Sequence, residues 1–322
     1  MTPFAYVAAR LIKPSALLVS IVAVYLVSLV NADDHVSRTP SDVVQVQMHN
    51  IQYHFTNDIG VHIDVLRGEL VPTKGNPMPV FDDKNSFTLR ISDALIAIDA
   101  SSMAAVLNTH VFSAPNSPVK DVSLQVEKDE LKVKGKLHSK GDISFELDGT
   151  VSATPDGRIR IHGTAIKALH LPVKGLMDFF GVQIATLIKN HRVPGVAVEK
   201  NDLILDSQQI LPPPHIQGKV AAVNLAGDSI GLVFGTPNKI SLSQPHENYM
   251  QYKGNRIQFG KLIMNDTDLT LLDMDSKDTF DFYLDHYKEQ LVAGYTKTTP
   301  AFGLRVYMRD FHKLPHLSAT AR

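Results

Sequence analysis

The chain has 322 residues, 44% apolar and 20% charged, and its 32 Lys and Arg against 33 Asp and Glu leave a formal net charge of -1. The apolar fraction excludes disorder along the whole length, and the absence of a basic excess excludes a dedicated nucleic-acid binder. Cysteine is absent, which removes disulfides, thiolate metal sites, iron–sulfur clusters and cysteine nucleophiles.

Ser15 to Ala32 is apolar and uncharged, with Arg10 and Lys13 before it and Asp33 and Asp34 after it. Positive charge ahead of such a span keeps the N-terminus inside and sends the bulk of the chain across the membrane. The span is short for roughly 30 Å of hydrocarbon and long for a signal-peptide core, and the small residues around Val30-Asn31-Ala32 suit a peptidase. An uncleaved anchor and a cleaved signal both fit. Residues 1–32 therefore read as membrane anchor or signal peptide, residues 33–42 as a polar linker and residues 43–322 as a single β-rich domain.

Period-2 alternation dominates from there. Val44, Val46 and Met48, then Val61, Ile63 and Val65, then Phe87, Leu89 and Ile91 alternate with polar residues, as half-buried strands do. Ser101 and Ser102 are placed to cap a short helix with Met103, Val106, Leu107 and Val111 on one face. Between Val122 and Ala165 the apolar sets Val122/Leu124/Val126, Leu131/Val133/Leu137, Ile143/Phe145/Leu147 and Ile159/Ile161 predict an antiparallel meander with one wet face. Its turns fall at Lys128-Asp129, Lys140-Gly141-Asp142 and Pro155-Asp156-Gly157. Gly135, Gly163 and Gly218 stand where the pattern calls for an inward side chain, which lets a sheet curl or leaves room for a helix or ligand.

Pro172 predicts the start of a longer helix, on which Val173, Leu176, Met177, Phe180, Ile184, Leu187 and Ile188 recur at three- and four-residue steps. Phe179, Val182 and Ala185 extend the apolar surface around the cylinder. Such a helix must be covered by protein or lipid. Further strands follow at Val196 to Val198, Leu203 to Leu205, Ile216 to Leu225 and Ile230 to Phe234, with a stiff Leu211-Pro212-Pro213-Pro214 connector and a turn at Gly227-Asp228. From about residue 248 a C-terminal β extension, with Ile257/Phe259, Leu269/Leu271 and Leu304/Val306/Met308, closes the same sheet or docks beside it. The expected fold class is α+β: a strongly curved antiparallel sheet wrapped around a long apolar helix, preceded by the N-terminal membrane or signal helix.

No motif defines a catalytic site. The acidic run Asp266, Asp268, Asp273, Asp275, Asp278, Asp281 invites a hard cation, but a calcium loop begun at Asp273 puts Asp278 where glycine is needed and Leu284 where a bidentate glutamate is needed. Gly227-Asp228-Ser229-Ile230-Gly231 fits a hydrolase elbow by letter, yet Leu232, Val233 and Phe234 continue as a strand that ends at Gly235 and Pro237, with no helix after the serine. Phosphate-loop and dinucleotide-binding glycine patterns are missing. No catalytic residue, metal or cofactor is expected.

The export signal, the meander, the apolar helix and the stretches Asp202 to Leu205, Leu211 to Gly218 and Gly227 to Gly235 together resemble bacterial envelope phospholipid-binding proteins of the tubular lipid-binding type, in the LmeA-like branch. The resemblance runs from about Phe87 to Gly235. It implies an apolar groove between helix and curved sheet that holds the acyl chains of a phospholipid or other acyl lipid, bounded by Leu176, Phe180, Ile184, Leu187, Val133 and Phe145. It also implies a non-enzymatic binder or carrier, single-pass in the inner membrane with its bulk in the periplasm, or periplasmic if cleaved. The alternative is a structural or scaffolding envelope protein whose core is filled by its own side chains.

Overall fold

The computed structural model describes residues 43–138, 142–168, 185, 186, 188, 193–244 and 246–315. The N-terminal apolar span and the linker lie outside the described residues, among which no helix is long and apolar enough to cross a membrane.

The described chain is mostly strand, arranged in two sheets. The larger has 11 strands. It opens with β1 (Val44–His54), β2 (Gly60–Pro72) and β3 (Phe87–Asp99). The chain then leaves it through α1 (Ala100–Val106) and one π-helical turn at Leu107–Val111. There it builds the six-stranded sheet from β4 (Val119–Glu127), β5 (Glu130–His138), β6 (Asp142–Ala153), β7 (Ile159–Ala168), β8 (Val196–Glu199) and β9 (Asp202–Leu205). It returns through α2 (Ser207–Ile210) to β10 (His215–Gln217), β11 (Val220–Ala226) and β12 (Ser229–Phe234). The larger sheet is completed by β13 (Tyr249–Phe259), β14 (Leu262–Asp273), β15 (Phe280–Tyr283), β16 (Tyr295–Thr298) and β17 (Leu304–Met308), with α3 (Tyr287–Val292) between β15 and β16. The smaller sheet is thus an excursion from the larger one, and the residues after 248 supply strands to the latter.

This corrects the expected fold class. Among the described residues there is no long apolar helix, and no sheet curls around one; the helices are short. The larger sheet is also mixed, since β15 runs parallel to β1, β10 to β3 and β17 to β14. Alternation reports which residues share a face, but it is blind to strand direction and to a change of sheet. The strands of the two sheets therefore read as one continuous curved surface. Of the predicted helix from Pro172, only Ala185, Thr186 and Ile188 are described, each helical.

Two departures from strict alternation have a local cause. The inward set of β1 shifts phase between Met48 and Ile51, and Asn50 between them takes a left-handed φ of 53°. In β4 the shift falls between Val119 and Val122, with Asp121 at φ 52°. Asn and Asp enter that region at lower cost than most side chains, and the extra residue returns the following apolar positions to the core face. Asn50 also marks where β1 changes partner, from β13 up to His49 to β15 from Ile51.

The outer face of the smaller sheet carries ion pairs: Lys132 with Glu127 and Lys136 with Asp121 at 2.7 Å, and Lys134 with Glu146 at 3.4 Å. Exposed pairs of this kind add little to stability, but they keep the face wet. The inner face therefore takes the packing, with Leu131 and Leu137 at 0% and 1% exposure.

Candidate functional site

Each sheet covers an apolar cavity. The first, about 60 Å³, lies against the inner faces of β1 to β3 and under α2, with Met48, Leu66, Phe87, Ile98 and Ile210 among its walls. Asp206 caps α2 by accepting from Gln208 N at 3.0 Å, which sets Ser207 in the first turn, buried and in the cavity wall. The other hydroxyls in this lining belong to Tyr53 and Tyr252, both raised in pKa by burial. They stay protonated, and Tyr252 donates only to the weak acceptor Sδ of Met250 at 3.7 Å.

The second cavity, about 90 Å³, lies on the apolar face of the smaller sheet and is walled by Leu107, Val133, Phe145, Ile161 and Ile188. Among the described residues its polar lining is confined to one stretch, Lys200, Asn201 and Asp202. These residues form the two-residue turn between β8 and β9 with its closing position, since Glu199 pairs with Asp202. The turn is held from beneath: Gly163 N donates to Asn201 O at 2.9 Å, and His162 Nδ1 lies 2.5 Å from Asp202 Oδ1.

Another wall of this cavity comes from the helical segment leading into the smaller sheet, which supplies Leu107. Asp99 caps α1 by accepting from Ser102 N at 2.6 Å, and the hydroxyls of Ser101 and Ser102 donate to its carboxylate. The helix therefore begins earlier than its serines suggest. The π turn that follows is pinned to the irregularity in β4, because Asn108 Nδ2 donates to Val122 O at 2.7 Å and Val122 N donates to Asn108 Oδ1 at 2.9 Å.

Of the lining residues expected from sequence, Val133 and Phe145 are brought together in the second cavity. Leu176, Phe180, Ile184 and Leu187 lie outside the described residues. Two of the inward glycines make room for the protein itself: a Cβ on Gly135 would stand 3.1 Å from Cζ of Phe145, and one on Gly218 would stand 3.1 Å from Cδ1 of Phe234. Sequence reasoning missed the first cavity and the polar turn at 200–202. The turn had a signal, the polar stretch Glu199-Lys200-Asn201-Asp202 between the apolar runs Val196–Val198 and Leu203–Leu205.

Two members of the acidic run, Asp275 and Asp278, meet in space with Asp310, which lies outside it, around a lysine. Asp278, Asp310 and His312 bring potential ligand atoms within 4.8 Å of one another. The ammonium of Lys313 already bridges those two carboxylates, 2.7 Å from Asp278 and 2.9 Å from Asp310, with Asp275 at 3.2 Å. Ser229 opens β12 after the turn at Gly227-Asp228, in a hairpin and not a strand-to-helix elbow.

No protein-family model matches the chain, and neither does any curated protein or solved structure.

Proposed function

We propose that this protein is a cell-envelope lipid-binding protein, exported behind its N-terminal apolar segment and either tethered by it or released on cleavage, which holds acyl chains in the cavities on the inner faces of its sheets. The observation that carries this reading is the second cavity. Among the described residues its walls are aliphatic and aromatic, and its polar groups are confined to the turn Lys200-Asn201-Asp202. That division matches an amphiphile, whose chain gains by leaving water and whose head does not.

One observation favours a self-filled scaffold instead: the rings of Phe145 and Phe234 occupy the spaces that Gly135 and Gly218 leave. Organic extraction of protein purified without detergent separates the two readings. A phospholipid or other acyl lipid in stoichiometric amount is the expected result. Recovery of none, together with failure to bind a fluorescent fatty acid, would overturn lipid binding and leave the scaffold.

A further inference from the structure

The two cavities lie side by side. Met103 lines the first and Leu107 the second, four residues further along the same helical segment, where side chains four apart are neighbours on one face. On another wall Ile159 lines the first and Ile161 the second, both inward on β7 and about 7 Å apart by strand geometry. On β7 only the outward-facing Arg160 lies between the two, and on the helix the buried Val106 stands beside Leu107 on the same face, so the partition is built from a few apolar side chains of these two walls.

We propose that the two cavities are compartments of one apolar passage, and that its occupant is a single long unbranched acyl chain. The head of that chain rests at the Lys200-Asn201-Asp202 turn, and its tail passes between Leu107 and Ile161 into the space under α2. This inference rests on the lipid-binding reading and specifies its ligand. The polarity of the linings sets the direction. Charged residues line the second cavity at that turn, whereas among the described residues the first holds only the hydroxyls of Ser207, Tyr53 and Tyr252 as polar side-chain groups. The partition stands where the helix widens into its π turn, and such turns are often found at functional sites.

The volumes make the idea measurable. About 10 to 15 Å³ of such room takes one water-sized group, close to a methylene, so cavities of 60 and 90 Å³ hold about five and about seven carbons separately and about a dozen if joined.

The test uses the full-length chain, stripped of lipid and kept soluble by an amphipathic polymer. Saturated fatty acids of about six to about sixteen carbons displace a fluorescent fatty acid, and affinity is expected to rise about fourfold per methylene until the passage is full. In the unaltered protein the rise should continue to about a dozen carbons. In Leu107→Trp, whose larger ring narrows the way between the cavities, it should stop at about seven carbons or fewer. Ile161→Phe, a smaller plug from β7, should shorten the limit too and guards against misfolding of the first variant, with the thermal midpoint of each confirming a folded protein. A rise that already ends near seven carbons in the unaltered protein overturns the passage, as does a limit unmoved in both folded variants. Failure of every chain to bind overturns the lipid-binding reading itself, and the passage with it.

Discussion

Asn50 donates through Nδ2 to the side-chain oxygen of Asn248 at 2.8 Å, while its own oxygen accepts from Thr279 Oγ1 at 3.1 Å. Asn248 immediately precedes β13 and Thr279 immediately precedes β15, the two strands that β1 pairs with on either side of Asn50. One side chain thus ties together the starts of both partners at the residue where they change over. Its backbone is left-handed as well. Asn50→Gly keeps that conformation and loses the two hydrogen bonds, whereas Asn50→Ala loses both features. The alanine variant should be less stable than the glycine variant by about 1 kcal/mol, read from the denaturant midpoints of the two. Equal midpoints would show that the backbone at this position is unstrained.

Lys313 holds three carboxylates, and burial of one of them makes the arrangement matter: Asp310 is 1% exposed. Its partners hold the ammonium's pKa well above the ordinary lysine value, through the hydrogen bonds it donates to Asp278 first and then to Asp310. Lys313→Met leaves those carboxylates facing one another, and a buried charge without its partner is strongly unfavourable. The melting temperature should fall at neutral pH, and the gap to the unaltered protein should narrow on acidification as the carboxylates take up protons. A gap independent of pH would mean that lost packing of the lysine stem causes the change.

Burial pushes the carboxyl of Asp273 up to about 6, aided by the charges of Asp310 and Asp278 and opposed by hydrogen bonds from Asn248 and from Asp275 N. The folded chain therefore holds this proton at pH values where the unfolded chain, with its ordinary carboxyl, has released it. The associated stability is full below about pH 4 and is lost as pH rises through about 6. Asp273→Asn should be less stable at every pH, because its amide nitrogen replaces one of the two oxygens that accept from Asn248 Nδ2 and Asp275 N. The slope of stability against pH between about 4 and 6 should nevertheless flatten in the variant. Urea titrations across that range check it, and parallel curves would refute the assignment.

Glycines at two points of the smaller sheet should respond differently to a methyl group. At Gly149 the added Cβ would stand 2.7 Å from the backbone oxygen of His162, and that strand cannot yield alone. At Gly135 the nearest atoms belong to the ring of Phe145, which has torsions to move. Gly149→Ala should cost about 1 to 3 kcal/mol and Gly135→Ala less. Unfolding free energies of the two variants decide the order.

The meander was legible because sheet faces differ in their company. Leu131, Val133 and Leu137 are buried while the lysines between them meet water and acids, so periodicity alone places β5. The turn at Gly227-Asp228 was legible from its own chemistry. The Lys313 cluster was not, since 35 residues separate the lysine from Asp278 and no local pattern links them. Nor were the parallel partners, because β10 finds β3 across 127 residues, the spacing of Arg90 from Gln217. The cavities were half legible: inward positions on β5 and β6 named Val133 and Phe145, but the proximity of Met103 to Ile159 depends on how a helix crosses between sheets.

Tyr249 Oη donates to Gln47 Oε1 at 2.6 Å across 202 residues of chain, within a pairing that makes β1 and β13 neighbours in the middle of the larger sheet. During synthesis from the N-terminus, β1 is delivered early and its partner among the last. Until then one edge of β1 has a row of unanswered amides and carbonyls, the kind of edge that recruits strands from other chains. Pairings so distant in sequence also close slowly. The order in which the chain arrives therefore leaves an interval when β1 needs protection, and a nascent chain stopped before Tyr249 would carry that adhesive edge permanently.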